Sequence, residues 1–265
     1  MLLIYRLYRV RELFDFFISA CKASYWPDAN IALDEAIKKF KGRCIFKQYI
    51  KNKPVRWGIK IFAVCCSATA YLWNAMFYLG KRKEESNQDI SVTTETVINL
   101  LTPLQGKNHR VHMDNYYTSI PLFQQLAALS IWCTGTVRVN RKGLDKQFCI
   151  KKSKESELKK KPGYHRFSSH GSMSFTGWFD KRPVHVLSNC YPPNPTGEEH
   201  QAIVKRWYDA RKGEEGATPH GKISREIFIP MCILFTICLW AQLTCSISSV
   251  HTSSLNLDQA SIGTQ

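Results

Sequence analysis

Two acids eighty positions apart, Asp34 and Asp114, have the type and setting that point to chemistry. Asp34 lies in Asn30–Ile37, NIALDEAI, where Ile31 and Leu33 alternate with Ala32 and the acid, as in a strand. Asp114 follows the short alternation of Val111 and Met113 within Arg110–Pro121, RVHMDNYYTSIP. Asn115 favours a turn there, Ser119 offers a helix N-cap, and Pro121 suits a first helical turn. Leu122, Leu126 and Leu129 then recur at helical spacing. An acid at the C-terminal end of a strand, facing the crevice where a helix begins, is where open α/β sheets hold functional groups. Carboxylates from neighbouring strands are the hard oxygen donors that Mg²⁺ takes. Two such ions about 3.5–4 Å apart clamp an in-line phosphoryl displacement, and that arrangement ordinarily asks for at least one further carboxylate. The plainer reading of each acid is a turn, capping or other structural residue.

The surrounding elements must place these acids together. Residues 1–20 mix apolar residues with arginine at roughly helical spacing, predicting an amphipathic helix that packs on a core. Tyr25-Trp26-Pro27 and Asp28-Ala29-Asn30 end it. Trp57–Cys66 and Ala70–Tyr78, separated by Ser67-Ala68-Thr69, read as a hairpin. Their nearly continuous apolar character suggests a central strand covered on both faces. A charged loop, Gly80–Asp89, leads to a helix over Ser91–Gln105, and Ile131–Val139 forms a further strand. The order strand, hairpin, helix, strand with acid, helix, strand is an α/β pattern with a mixed sheet.

From Asn140 the chain becomes basic and loop-rich. Ser172–Phe179 and Val184–Ser188 are short strands joined by a turn at Asp180–Pro183, and Tyr191–Gly197 is a loop because of its prolines. Gln201–Lys212 reads as a short basic helix carrying Trp207. Ile227–Leu243 is an apolar run of 17 residues interrupted by Pro230. A spanning helix needs about 20, so a packed helix or a tail without a native partner is favoured over membrane insertion.

Composition narrows the partner. The 37 basic against 21 acidic residues give a formal charge of +16, which suits a polyanion such as nucleic acid or an acidic membrane surface. Arg138, Arg141, Lys142, Lys151, Lys152 and the triplet Lys159, Lys160 and Lys161 are the cations assigned to DNA; the bland reading is a solvated loop. Trp132, Trp178 and Trp207, near cationic stretches, could stack on unpaired bases, although core packing is commoner for tryptophan in strands. The ten cysteines include no C-x-x-C pair and the histidines no metal-binding spacing, so no zinc site is expected. With no clear export signal, buried reduced thiols in an intracellular protein are expected. Motifs of P-loop NTPases, dinucleotide enzymes and elbow-type hydrolases are absent from the sequence.

Several stretches, in order, resemble the transposase domain of piggyBac-type elements, including the domesticated piggyBac transposable element-derived proteins. They are LDEAIKKFKGR from Leu33, FKQYIKNKPVRWGIKIF from Phe46, HMDNYYTSIPL from His112, GTVRVNRKGL from Gly135 and WFDKRPVHVLS from Trp178. The resemblance implies an RNase H-like mixed sheet flanked by helices, with a basic, strand-containing insertion after the second acid. It implies metal-dependent DNA strand cleavage and transfer at TTAA targets by three aspartates holding two Mg²⁺ (or Mn²⁺) ions, with Asp34 and Asp114 matching the first two. A nuclear location and a homodimer are further expectations at family level.

The sequence also departs from that pattern. The family's third acid sits in a Met-Gly-Gly-Val-Asp motif with no counterpart here, and Asp258-Gln259 lacks its glycines and context. Leu33 stands where a serine is usual, and the family's N-terminal regions and C-terminal cysteine-rich zinc module are not found. Residues 1–230 are therefore read as an incomplete transposase domain, with 140–200 as its basic insertion and 231–265 as a non-family tail. One sheet face would be exposed unless Ile227–Leu243 covers it. The leading expectation is a DNA-binding remnant with an incomplete catalytic triad. The rivals are an active transposase or nuclease with another third acid, a non-functional product of a decayed element and, more distantly, a membrane-associated protein.

Overall fold

The computed structural model describes residues 8–51, 56–80, 92–151, 154–158, 161, 163–191, 201–209, 222–230 and 232–233. Lys152, Lys159, Lys160, Asp258, most of the 80–89 and 191–197 loops and most of the 227–243 run lie outside them.

The N-terminal helix is α1 (Arg11–Ser24). It packs through Ile18, Cys21 and Phe14, whose ring centroid lies 4.2 Å from that of Phe77, but leaves Leu13, Phe16 and Phe17 exposed. The expected strand follows as β1 (Asn30–Lys39). A two-residue strand, β2 (Gln48–Tyr49), precedes the hairpin of β3 (Trp57–Cys66) and β4 (Leu72–Phe77). The helix α2 (Val92–Leu101), the acid-bearing strand β5 (Arg110–Met113), the helix α3 (Ile120–Ala128) and β6 (Trp132–Thr136) come next in the expected order. The sheet runs β2-β3-β1-β5-β6 and on through three later strands, with β4 also on β3. Among the described strands only β1–β5 and β5–β6 pair in parallel, so the sheet is mixed.

One face is a dense apolar layer. Ile31 and Leu33 of β1, Phe62 and Val64 of β3, and Val111 and Met113 of β5 pack with Leu100 of α2 and Phe123 of α3. The alternation that predicts these strands is thus the alternation of a buried face. On the other face Ala32, Ala63 and Cys65 cluster. Farther along the sheet Ile229, Cys232 and Ile233 bury against Trp178 and Val186, so the start of the apolar run does contribute cover.

The strands after the basic tract extend the same sheet. They are β7 (His165–His170), β8 (Met173–Phe179) and β9 (Pro183–Ser188), with β9 antiparallel to β6. Among the described residues between them and β6 are a 3-10 turn at Lys146–Phe148 and the short helix α4 (Glu155–Leu158). HRFSSH has little apolar alternation and so carries no local strand signal; β7 forms across the two-residue turn Gly171-Ser172, where Gly171 has φ +58°. The helix expected over Gln201–Lys212 is instead β10 (Gln201–Asp209), paired along its whole length with β11 (Lys222–Pro230). Ile203, Val204, Trp207 and Tyr208 fit helical spacing within one window, but their β-branched and aromatic character suits a strand once a partner lies alongside. Ile227–Pro230 is likewise strand rather than helix.

Gly135 permits the close approach of β6 to the end of β5. A Cβ there would collide with the Thr118 hydroxyl and the Met113 carbonyl, and that hydroxyl donates to the Asp114 carbonyl at 2.8 Å. Gly135→Ala should therefore lower stability by about 1–3 kcal/mol. Urea denaturation reads this, and an unchanged midpoint would contradict the tight packing.

Candidate active site

The register brings the two predicted acids together. Leu33 of β1 lies opposite Met113 of parallel β5, so Asp34 and Asp114 each stand one residue beyond that pair, side by side just past the end of β5. Asp34 is buried and Asp114 half-buried. Each carboxylate is oriented by backbone: the Glu35 N–H donates to Asp34 Oδ1, and the Tyr116 N–H to Asp114 Oδ1, both at 2.7 Å. The second bond is the local Asx turn that Asp-Asn sequences favour. Ser119 then caps α3 by accepting from the Leu122 N–H at 3.4 Å, as its position predicts.

Burial pushes the Asp114 carboxyl above the ordinary carboxylate range. The Glu35 charge pushes the same way, and the Tyr116 N–H and Arg138 oppose it. An acid kept where its ionised form is disfavoured costs stability, and it is a common mark of a functional position.

Three residues that the motif reading did not single out surround the pair. The Tyr117 hydroxyl donates to Glu35 Oε2 at 3.0 Å. Burial, and then the charges of Glu35, Asp34 and Asp114, push that phenol well above its usual range. Lys60 Nζ lies 3.8 Å from Glu35 Oε1 and 4.5 Å from the centroid of the Tyr116 ring. Lys60 thus ties β3 both to β1 and to the turn carrying Asp114. A signal was present: Lys60 is the one charge in the otherwise apolar WGIKIFAVCC, and Glu35 directly follows Asp34.

The residues assigned to DNA divide. Arg138 Nε donates to Asn115 Oδ1 at 2.9 Å, and an Arg141 terminal nitrogen donates to the carbonyls of Asn115 and Tyr116 at 3.0 and 2.8 Å. These arginines brace the turn after Asp114. Lys142, Lys151 and Lys161 are exposed. Lys151 also joins Lys146, Lys154 and Arg166 around a cavity of about 510 Å³ floored by Ile150 and Leu158. Trp178 is buried and not available for stacking, Trp132 is half-buried, and nothing is described of the Trp207 side chain. Among the described residues no group of three or more His, Cys, Asp or Glu is arranged to hold a metal. The carboxylate pair nevertheless offers oxygen donors of the kind that a hard divalent cation takes when phosphate and water complete its shell.

The chain matches a family model described as Transposase IS4 over residues 5–213. It is similar to human PiggyBac transposable element-derived protein 3, with 26% identity over 170 residues, 61% of this chain and 27% of the relative. The human Chimeric ERCC6-PGBD3 protein is also 26% identical over 170 residues, 61% of this chain and 15% of that protein. Among solved structures it is similar to the piggyBac transposase synaptic complex with hairpin DNA, determined by cryo-EM. The TM-score is 0.66 at 25% identity, covering 95% of this chain and 46% of that one. The chain therefore spans about a quarter or less of the curated relatives' length and under half of the structural neighbour's. The mixed sheet is of the RNase H-like type found in DDE transposases.

Proposed function

This chain belongs to the Transposase IS4 family and is of the piggyBac type, and we propose that it binds DNA, with Asp34 and Asp114 forming a divalent-cation site at the phosphate backbone. The observation that carries the proposal is the register that sets the two acids side by side, each with one oxygen already oriented by a backbone N–H. Mg²⁺ is commonly held by one or two carboxylates together with substrate phosphates, and the donor set fits that use. When bound, such an ion neutralises phosphate charge and polarises the phosphoryl group. The chain's own part is to hold the acids. Lys60 and Tyr117 fix Glu35 beside them, and Arg138 and Arg141 brace the turn. The cations around the cavity at Lys151, and the net charge of +16, supply the sequence-independent attraction to DNA. Work on DNA implies the nucleus. Among the described residues no helix is long and apolar enough to cross a membrane.

Three measurements on the full chain, DNA binding, thermal melting and nicking, test the proposal. Binding to duplex DNA should be detectable at low salt and fall steeply as salt rises, because phosphate contacts release counterions. No binding at low salt would sink the DNA reading. Asp114→Asn removes a carboxylate whose ionised form is disfavoured, so without metal it should raise stability by up to about 1 kcal/mol. Mg²⁺ or Mn²⁺ should raise the melting temperature of the wild type but not of this variant. An equal rise in both proteins would remove Asp114 from the cation site. Nicking of the duplex by the wild type, lost in Asp114→Asn, would extend the reading to strand cleavage.

A further inference from the structure

The stretch from Lys38 to Trp57 contains eight lysines and arginines and no acidic residue, half the formal charge of the whole chain in twenty residues. It also carries two exposed aromatics. Tyr49 of β2 and Trp57 of β3 are register partners, with ring centroids 4.9 Å apart and exposures of 50% and 55%. Lys47 Nζ lies 5.5 Å from the centroid of the Trp57 ring, and Lys41, Arg43 and Arg56 are exposed nearby in sequence.

The pairing fixes where this patch sits relative to the acids. Asp34 pairs with Ala63 and Lys38 with Ile59, so alternation along β3 puts Trp57 on the Asp34 face of the sheet. Lys39 pairs with Gly58, which places Trp57 five to six residues beyond Asp34 in the direction of the β1 C-terminus. At the rise of a strand that is roughly 16–20 Å, the length of a few nucleotides.

We infer that Tyr49 and Trp57 form a stacking platform for an unpaired base of DNA whose backbone runs along the basic β1–β3 end toward Asp34 and Asp114; the inference rests on the DNA-binding reading above. Cations alone would serve a duplex. A duplex, however, hides the faces of its internal bases, and exposed rings backed by cations suit a base whose face is open. A cross-strand aromatic pair also stabilises a hairpin, but that role does not account for both rings staying half-exposed within a stretch of eight cations and no acid.

The test compares full-length protein on a duplex of about 20 base pairs, blunt or with a single-stranded extension of about four bases, by fluorescence anisotropy. The wild type should prefer the extended DNA by about 5- to 30-fold, as stacking of one base allows. Trp57→Ala should abolish that preference while changing blunt-duplex affinity less than about two-fold, and Trp57→Phe should keep most of it. Both rings lie on the surface, and a thermal melt confirms that the variants are folded. Equal binding of the two DNAs by the wild type, or an equal loss on both in Trp57→Ala, would overturn the platform. Failure of the wild type to bind blunt duplex at low salt would count against the DNA-binding reading itself.

Discussion

Between pH 7 and pH 4 the folded state should lose about 3 kcal/mol through His112 alone. His112 lies in β5 with 2% of its surface exposed, Nε2 facing Asn30 Oδ1 at 3.4 Å. Burial, and then the charge of Arg110, lowers its pKa to about 3. In the unfolded chain it titrates near 6.5, as a histidine ordinarily does. Below that value the unfolded state binds a proton that the folded state refuses, so stability falls as pH drops. The loss continues until the folded protein accepts the proton near its own, depressed pKa. His185, also lowered by burial, acts in the same direction, since its Nε2 accepts the Ile150 N–H at 2.9 Å and must stay unprotonated to do so. Urea midpoints between pH 7 and pH 4 read the effect. Other groups titrate in that range, so His112→Gln is the control, and its profile should be flatter by the His112 share. Parallel profiles for the two proteins would show that His112 is not what makes the fold acid-sensitive.

Lys60→Met should cost on the order of 3 kcal/mol, well beyond its loss of contact area. The side chains of Lys60 and Glu35 are 11% and 16% exposed, so removing the ammonium leaves a carboxylate in a low-dielectric setting beside the Tyr117 hydroxyl that donates to it. The cost belongs mostly to the stranded charge rather than to the pair's attraction. Adding Glu35→Gln to Lys60→Met should therefore recover most of it, while Glu35→Gln alone should be milder. A double-mutant cycle in urea measures this coupling. If Lys60→Met alone stays within about 0.5 kcal/mol of the wild type, the pair is solvated and the reasoning fails. The cycle also matters for the site, because Lys60 contacts the Tyr116 ring and the Tyr116 N–H orients Asp114.

These predictions describe a site with a division of labour. Asp34 and Asp114 stand side by side past the end of β5, and Glu35, Lys60 and Tyr117 form a charged knot that locks two strands and a turn near them. Arg138 and Arg141, assigned to DNA on charge and family resemblance, brace the turn instead. Charge in a sequence says that a residue is drawn to anions, and a backbone carbonyl a few ångströms away can satisfy it as well as a phosphate does.

Much of the local structure was legible in the residues. Ile31 and Leu33 alternate because β1 buries one face, Ser119 and Pro121 mark the start of α3 because helix ends leave unpaired N–H groups, and both signals act within a few residues. The resemblance to piggyBac-type transposases was legible too, since it rests on ordered runs of residue types. Gln201–Asp209 was not legible, because its strand state comes from Lys222–Pro230, a partner outside any local window. Nor was the Glu35–Lys60–Tyr117 knot, whose members are separated by 25 and 57 positions and meet only through the pairing of β1 with β3 and β5. The sequence by itself determined the identity of the two acids and the short strands and turn that carry them. Only the tertiary structure decided that Leu33 faces Met113 and so that Asp34 stands beside Asp114. Register is set by hydrogen bonds and packing between distant segments, which local propensity does not contain.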